Sequence, residues 1–88
     1  MKTGDLTMGV SVLVVYRKIF NRFGRTLEVN GDNVHVCCPE TLDHVLIGRD
    51  IDIIILRDGL NMSDFDHNQQ VLLYAAMHKS SHKTIIEF

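Results

Sequence analysis

The chain has 88 residues, 45% of them apolar and 23% charged, with six glycines, one proline and a formal charge of −2. That length makes one domain, residues 1–88, whose core can bury roughly 60% of the unfolded surface. The composition excludes a low-complexity or disordered chain, and two cysteines are too few for a disulfide scaffold.

Val10 to Tyr16 is β-branched and continuously apolar, which predicts a strand covered on both faces. It is too short for a bilayer, which needs about 20 apolar residues. It also leads into Arg17-Lys18 without a cleavage-like site, so an interior strand of a cytoplasmic protein, with no membrane association, is expected. Tyr16, Ile19, Phe20 and Phe23 then recur at i, i+3, i+4 and i+7, one face of a short helix that Gly24 stops. Arg17, Lys18, Asn21 and Arg22 occupy its other face, with Arg25 just beyond.

Leu27–Val29 and Val34–Val36 flank Asn30-Gly31-Asp32-Asn33, and Asn-Gly supplies positive φ cheaply, so a β-hairpin is predicted. Cys37 and Cys38 close it; neighbours on a strand point to opposite faces, which suits two buried thiols better than a pair or a chelate. Pro39 fits the first position of a helix whose inner side is Leu42, Val45 and Leu46 and whose stop is Gly48. Ile51 to Leu56 is the central buried strand. After a Gly- and Asn-containing loop, Ser63 is placed to cap a helix with Asp64 and Asp66 in its first turn. Phe65, Gln69, Leu72, Leu73, Ala76 and Met77 are its inner face, and Thr84 to Phe88 is a last strand. The predicted fold is a small α/β domain, β-α-β-β-α-β-α-β, with a mostly parallel sheet and the hairpin at one side.

Charge is uneven along the chain. Residues 1–25 set five cations against Asp5, whereas residues 26–76 set Arg49 and Arg57 against nine acids. Arg17, Lys18, Arg22 and Arg25 are therefore the candidate surface for a protein partner or for nucleic-acid phosphates. The acidic middle suits a basic protein partner. Asp58, Asp64, Asp66 and His67, with Arg57, gather after the central strand, at the edge where open α/β sheets bind ligands. Three carboxylates there can serve a hard cation, although their spacing matches no calcium or zinc loop. His35, His44, His67, His78 and His82 are scattered, and no serine or cysteine sits in a nucleophile pattern.

Val12-Leu13-Val14-Val15-Tyr16-Arg17-Lys18, the hairpin Val29 to Val36, Pro39 to Gly48, Ile51 to Asp58 and Lys83 to Phe88 together resemble, in order and spacing, the middle of a phage terminase large-subunit ATPase core. The resemblance implies that Ile51 to Leu56 stands for the strand ending in Asp-Glu, where the Asp holds magnesium and the Glu activates water. Arg57 and Asp58 occupy those places here, and a cation inverts the electrostatics of a magnesium site. No GxxxxGK[ST] segment supplies a phosphate cradle. Asp52 to Leu56 also resembles the central strand of a response-regulator receiver domain, with Arg57 at the phosphoacceptor position.

The expectation is a non-enzymatic, cofactor-free accessory or regulatory protein of phage type, in the host cytoplasm, acting through protein–protein contacts. Its partners would be packaging or DNA-processing components or a host factor, and an open sheet edge also invites a homodimer. The alternatives are a nucleic-acid-binding module using Arg17 to Arg25, and a metal-dependent enzyme using the loop Asp58 to His67.

Overall fold

A computed structural model describes residues 9–18, 25–80 and 83–87. Its elements are β1 (Ser11–Val15), β2 (Arg25–Val29), β3 (Asp32–Cys37), a 3-10 turn at Pro39–Thr41, α1 (Leu42–Leu46), β4 (Ile53–Leu56), a 3-10 turn at Met62–Asp64, α2 (His67–Ala76) and β5 (Thr84–Glu87). The strands form one sheet in the order β2-β3-β1-β4-β5. Neighbours among β3, β1, β4 and β5 are parallel, and β2 is antiparallel to β3. The expectation of a parallel arrangement thus holds for four strands, while the sheet as a whole is mixed.

Register divides the strand residues between two faces. Thr26, His35, Leu13, Ile54 and Ile85 stand side by side, followed on the same face by Cys37, Val15, Leu56 and Glu87. α1 and α2 cover this face with Leu42, Val45, Leu46, Leu73, Ala76 and Met77, leaving Leu13, Val15, Cys37, Ile54 and Leu56 without solvent exposure. Burying each such aliphatic side chain contributes about 1.5–3 kcal/mol. The opposite face carries Leu27, Val34, Val12, Ile53 and Thr84 in one row and Arg25, Val36, Val14, Ile55 and Ile86 in the next. Its central aliphatics are half-buried.

The Asn-Gly turn is tighter than the four-residue link suggested. Val29 pairs with Asp32 across a two-residue loop in which Asn30 (φ 52°) and Gly31 (φ 88°) are both left-handed, the conformation that matches strand twist. Asp32 thereby becomes the first residue of β3. Its Oδ1 accepts the Val10 amide at 3.0 Å, while Asp52 Oδ2 accepts the Ser11 amide at 2.9 Å. Two carboxylates so hold the chain where it enters β1. Gly9 lies against the same turn, where a Cβ would meet Asp32 Oδ1 at 2.0 Å and the Gly31 carbonyl oxygen at 2.5 Å.

Three expectations are corrected. The central strand is shorter than Ile51–Leu56: Ile51 is buried but donates its amide to the Ala76 carbonyl at 2.8 Å, so pairing with β1 in the strand ladder begins at Ile53. Ser63 caps nothing. Asn61 and Asp64 close the Met62–Asp64 turn instead, and Asp66 caps α2 through a reciprocal pair, Oδ1 accepting the Gln69 amide at 2.8 Å and Gln69 Oε1 accepting the Asp66 amide at 3.0 Å. The expected order β-α-β-β-α-β-α-β also differs from the described elements, which run β-β-β-α-β-α-β. Of the helix predicted from Arg17 to Phe23, Arg17 lies in a bend, Lys18 in irregular chain, and the rest outside the described residues. Arg25, however, shares a row with Val14. The chain therefore leaves β1 and enters β2 at the same end of the sheet, two strands (about 10 Å) apart, a return that requires no crossover helix.

Candidate functional site

The chain runs from β1 toward β3 on one side and from β4 to β5 on the other, so the strand order reverses between β1 and β4. Ligands of open α/β sheets bind at such a reversal, outside the carboxyl ends of the strands. Arg17, Lys18, Arg57 and Asp58 stand there because each directly follows one of the two strands.

The backbone amide of Arg17 donates to Asp58 Oδ2 at 3.1 Å. The Arg17 guanidinium donates from Nε and Nη2 to the Asp58 carbonyl at 3.3 and 3.2 Å. This second contact depends on the turn. Asp58 (φ 60°) and Gly59 (φ 76°) are both left-handed, and a Cβ on Gly59 would come within 3.9 Å of Arg17 Nη2. Arg57 donates its amide to the Val15 carbonyl at 2.8 Å, and its guanidinium lies 5.8 Å from the centre of the Tyr16 ring, within cation–π range. Arg17 thus straddles the gap between the two strand ends and closes it with the protein's own polar groups. Arg17, Lys18, Arg57 and Asp58 are all exposed.

The other predicted site residues do not join this cluster as ligands. Asp64 Oδ2 accepts the Asn61 amide at 2.8 Å and Asp66 caps α2, so both carboxylates hold local turns. His67 is the exposed first residue of α2. Glu87, at the end of β5, receives the Met62 amide on Oε2 at 3.2 Å. Among the described residues no three His, Cys, Asp or Glu side chains are grouped to hold a metal ion. Arg25 opens β2 at the carboxyl end of the sheet, exposed, and Arg22 lies outside the described residues.

Two buried groups have structural partners. His35 is 5% exposed with Nδ1 3.0 Å from Thr26 Oγ1; burial first, and then the charge of Arg49, hold its imidazole below the ordinary 6.5. Burial and the neighbouring Cys38 push the Cys37 thiol up to about 12, so it is not a nucleophile at neutral pH. Both cysteines are free and buried.

Sequence reasoning missed the exposed apolar surface. Val71 (51% exposed), Tyr74 (56%) and Ile47 (73%) protrude around α2. Their signal was legible: His67, Val71, Tyr74 and His78 form a second helical stripe beside the inner one. β2 is the other exposed element, with all five residues open, including Leu27 and Val29. No family model, curated protein or solved structure matches the chain.

Proposed function

We propose that this chain is a non-enzymatic interaction module that takes a strand of a protein partner along β2. The observation that carries the reading is the open edge. Among the described residues β2 pairs only with β3, and all five of its residues are exposed. In a two-residue hairpin the closing pair, Val29 and Asp32, bonds across the ladder, and the alternation assigns Leu27 and Arg25 the same inward role. Thr26 and Glu28 then turn their backbone groups outward, where a further strand can pair, with Leu27 and Val29 beside them for side-chain selection. The non-enzymatic part is supported by the closed gap between β1 and β4, where Arg17 engages both the backbone and the carboxylate of Asp58.

Glu28→Pro tests the reading, because proline removes one outward N–H and leaves the ladder to β3 intact. A host protein captured by the unmodified chain and lost by the variant is the expected result, whereas equal capture by both would reject it. Calorimetric binding of ATP with Mg²⁺ would also sink the non-enzymatic reading. Ancestry in a terminase-like core, a phage setting in the host cytoplasm and packaging or DNA-processing partners belong to the same proposal. Their support is the ordered sequence resemblance, with Arg57-Asp58 ending a central parallel strand.

The gathering of Arg17, Lys18, Arg57 and Arg25 at one end of the sheet favours a second reading, nucleic-acid binding through phosphates. Replacing Arg17, Lys18 and Arg22 with Ala should then weaken oligonucleotide binding and flatten its salt dependence. An unmodified protein that binds no oligonucleotide at low salt removes it.

A further inference from the structure

From Val71 onward α2 is apolar on both sides. Leu73, Ala76 and Met77 enter the core, yet Val71, Tyr74 and Ala75 stand exposed on the outer side. A surface helix normally keeps its outer side polar, and a helix that is apolar all round is usually buried. Two grooves run beside this outer ridge. One, of about 430 Å³, is lined by Leu46, Ile47, Arg49, Leu72, Ala75 and Lys79; the other, of about 340 Å³, by Tyr74, Met77, His78, Lys83 and Ile85. Both grooves have an apolar floor and cations on the rim by the carboxyl end of α2, which asks for an occupant that is apolar in the middle and acidic where it meets that end.

We propose that the occupant is α2 of a second copy, packed antiparallel across a two-fold axis. The exposed stripe is His67, Val71, Tyr74 and His78. It is symmetric about the point midway between Leu72 and Leu73, so an antiparallel pair that sets Val71 against Tyr74 of the second copy also sets Tyr74 against its Val71. The same axis sets His67 against the second copy's His78. It also brings Asp66, at the start of one helix, to Lys79, just past the end of the other, and does so twice. Charge supports the arrangement on each side: Asp64 and Asp66 lie at the amino end of α2, Arg49 and Lys79 at the groove by its carboxyl end, with Asp50 the one acid in that groove's lining. A two-fold contact must be self-complementary, and a stripe with acid at one end, cation at the other and Val and Tyr between meets that condition. A parallel pairing would instead place acids on acids and cations on cations. At about 15 Å the helix offers a small interface, which suits a dimer dissociating in the micromolar range.

This inference is independent of the β2 reading, since it uses the other side of the molecule. Sedimentation velocity over about 1–500 µM should show monomer converting to dimer. Val71→Glu, which sets a carboxylate against Tyr74 of the second copy, should raise the dissociation constant at least about tenfold with an unchanged circular-dichroism spectrum. Lys79→Glu sits on an exposed turn outside the core. It should weaken the dimer about three- to tenfold at low salt and less at high salt, because it faces Asp66 with a like charge. Glu28→Pro should leave the dimer unchanged. A monomer throughout the range overturns the proposal, as does a dimer that survives Val71→Glu and Lys79→Glu. Loss of the dimer in Glu28→Pro with retention in Lys79→Glu would assign self-association to the β2 edge instead.

Discussion

The two ends of the parallel strands use charged residues in opposite ways. At the amino end, Asp32 and Asp52 point back into the sheet and accept the amides of Val10 and Ser11, both partly buried contacts between residues 22 and 41 positions apart. At the carboxyl end, Arg17 and Asp58 also meet across 41 positions, but in solvent. The first pair of contacts satisfies amides that enter the sheet short of water. The second closes a gap that water could equally have filled. A carboxylate holding a half-buried amide has no cheap substitute, whereas an exposed arginine on a carbonyl competes with solvent at every moment. The amino end therefore carries fold stability, and the carboxyl end is free to vary with function.

Substitutions can break this comparison in graded steps. The largest effect is expected from Gly9→Ala, because the new methyl would overlap Asp32 Oδ1 and the Gly31 carbonyl; a loss of about 2–4 kcal/mol in urea unfolding is anticipated. Asp52→Ala orphans the Ser11 amide and should cost about 1–2 kcal/mol, with Asp52→Asn milder because it keeps an acceptor. Acid should expose His35 next. Its folded-state pKa is lowered, so the unfolded chain takes up the proton first, and stability present above pH 6.5 is lost as pH falls from there toward the folded value. Thermal melts of the unmodified chain and His35→Gln should converge in slope only if this group is not responsible. Smallest is Arg17→Ala, expected within about 0.5 kcal/mol in the same urea assay. An Arg17→Ala loss as large as that of Asp52→Ala would erase the distinction between the two ends.

Much of the local structure could be read directly from residue types. Asn30-Gly31 specified a hairpin because few residue pairs accept two left-handed conformations in succession. Gly48, at φ 71°, ended α1 for the same reason. Capping was harder. Ser63, Asn61, Asp64 and Asp66 all have side chains that can accept a backbone amide, and sequence does not say which of them reaches the correct one. The structure gives Asn61 and Asp64 to a 3-10 turn and Asp66 to α2. That assignment also turned two acids of the candidate loop, Asp64 and Asp66, into local caps. The outer stripe of α2 was legible as a period but gave way to the stronger inner one, Leu72, Leu73, Ala76 and Met77.

The sequence by itself determined the types of most described elements, the hairpin turn and the inner apolar stripes of the later strand and helices, because these follow from backbone sterics and from periods of two and 3.6 residues. Only the tertiary structure decided that β1 lies between β3 and β4, which carboxylates secure its entry, and that Arg17 meets Asp58. Those contacts join residues tens of positions apart, and nothing in a local pattern encodes which strand becomes whose neighbour. The central strand shows both limits: Ile54 and Leu56 were bound to be buried, but what stands beside Arg57 and Asp58 was settled by the return of β1.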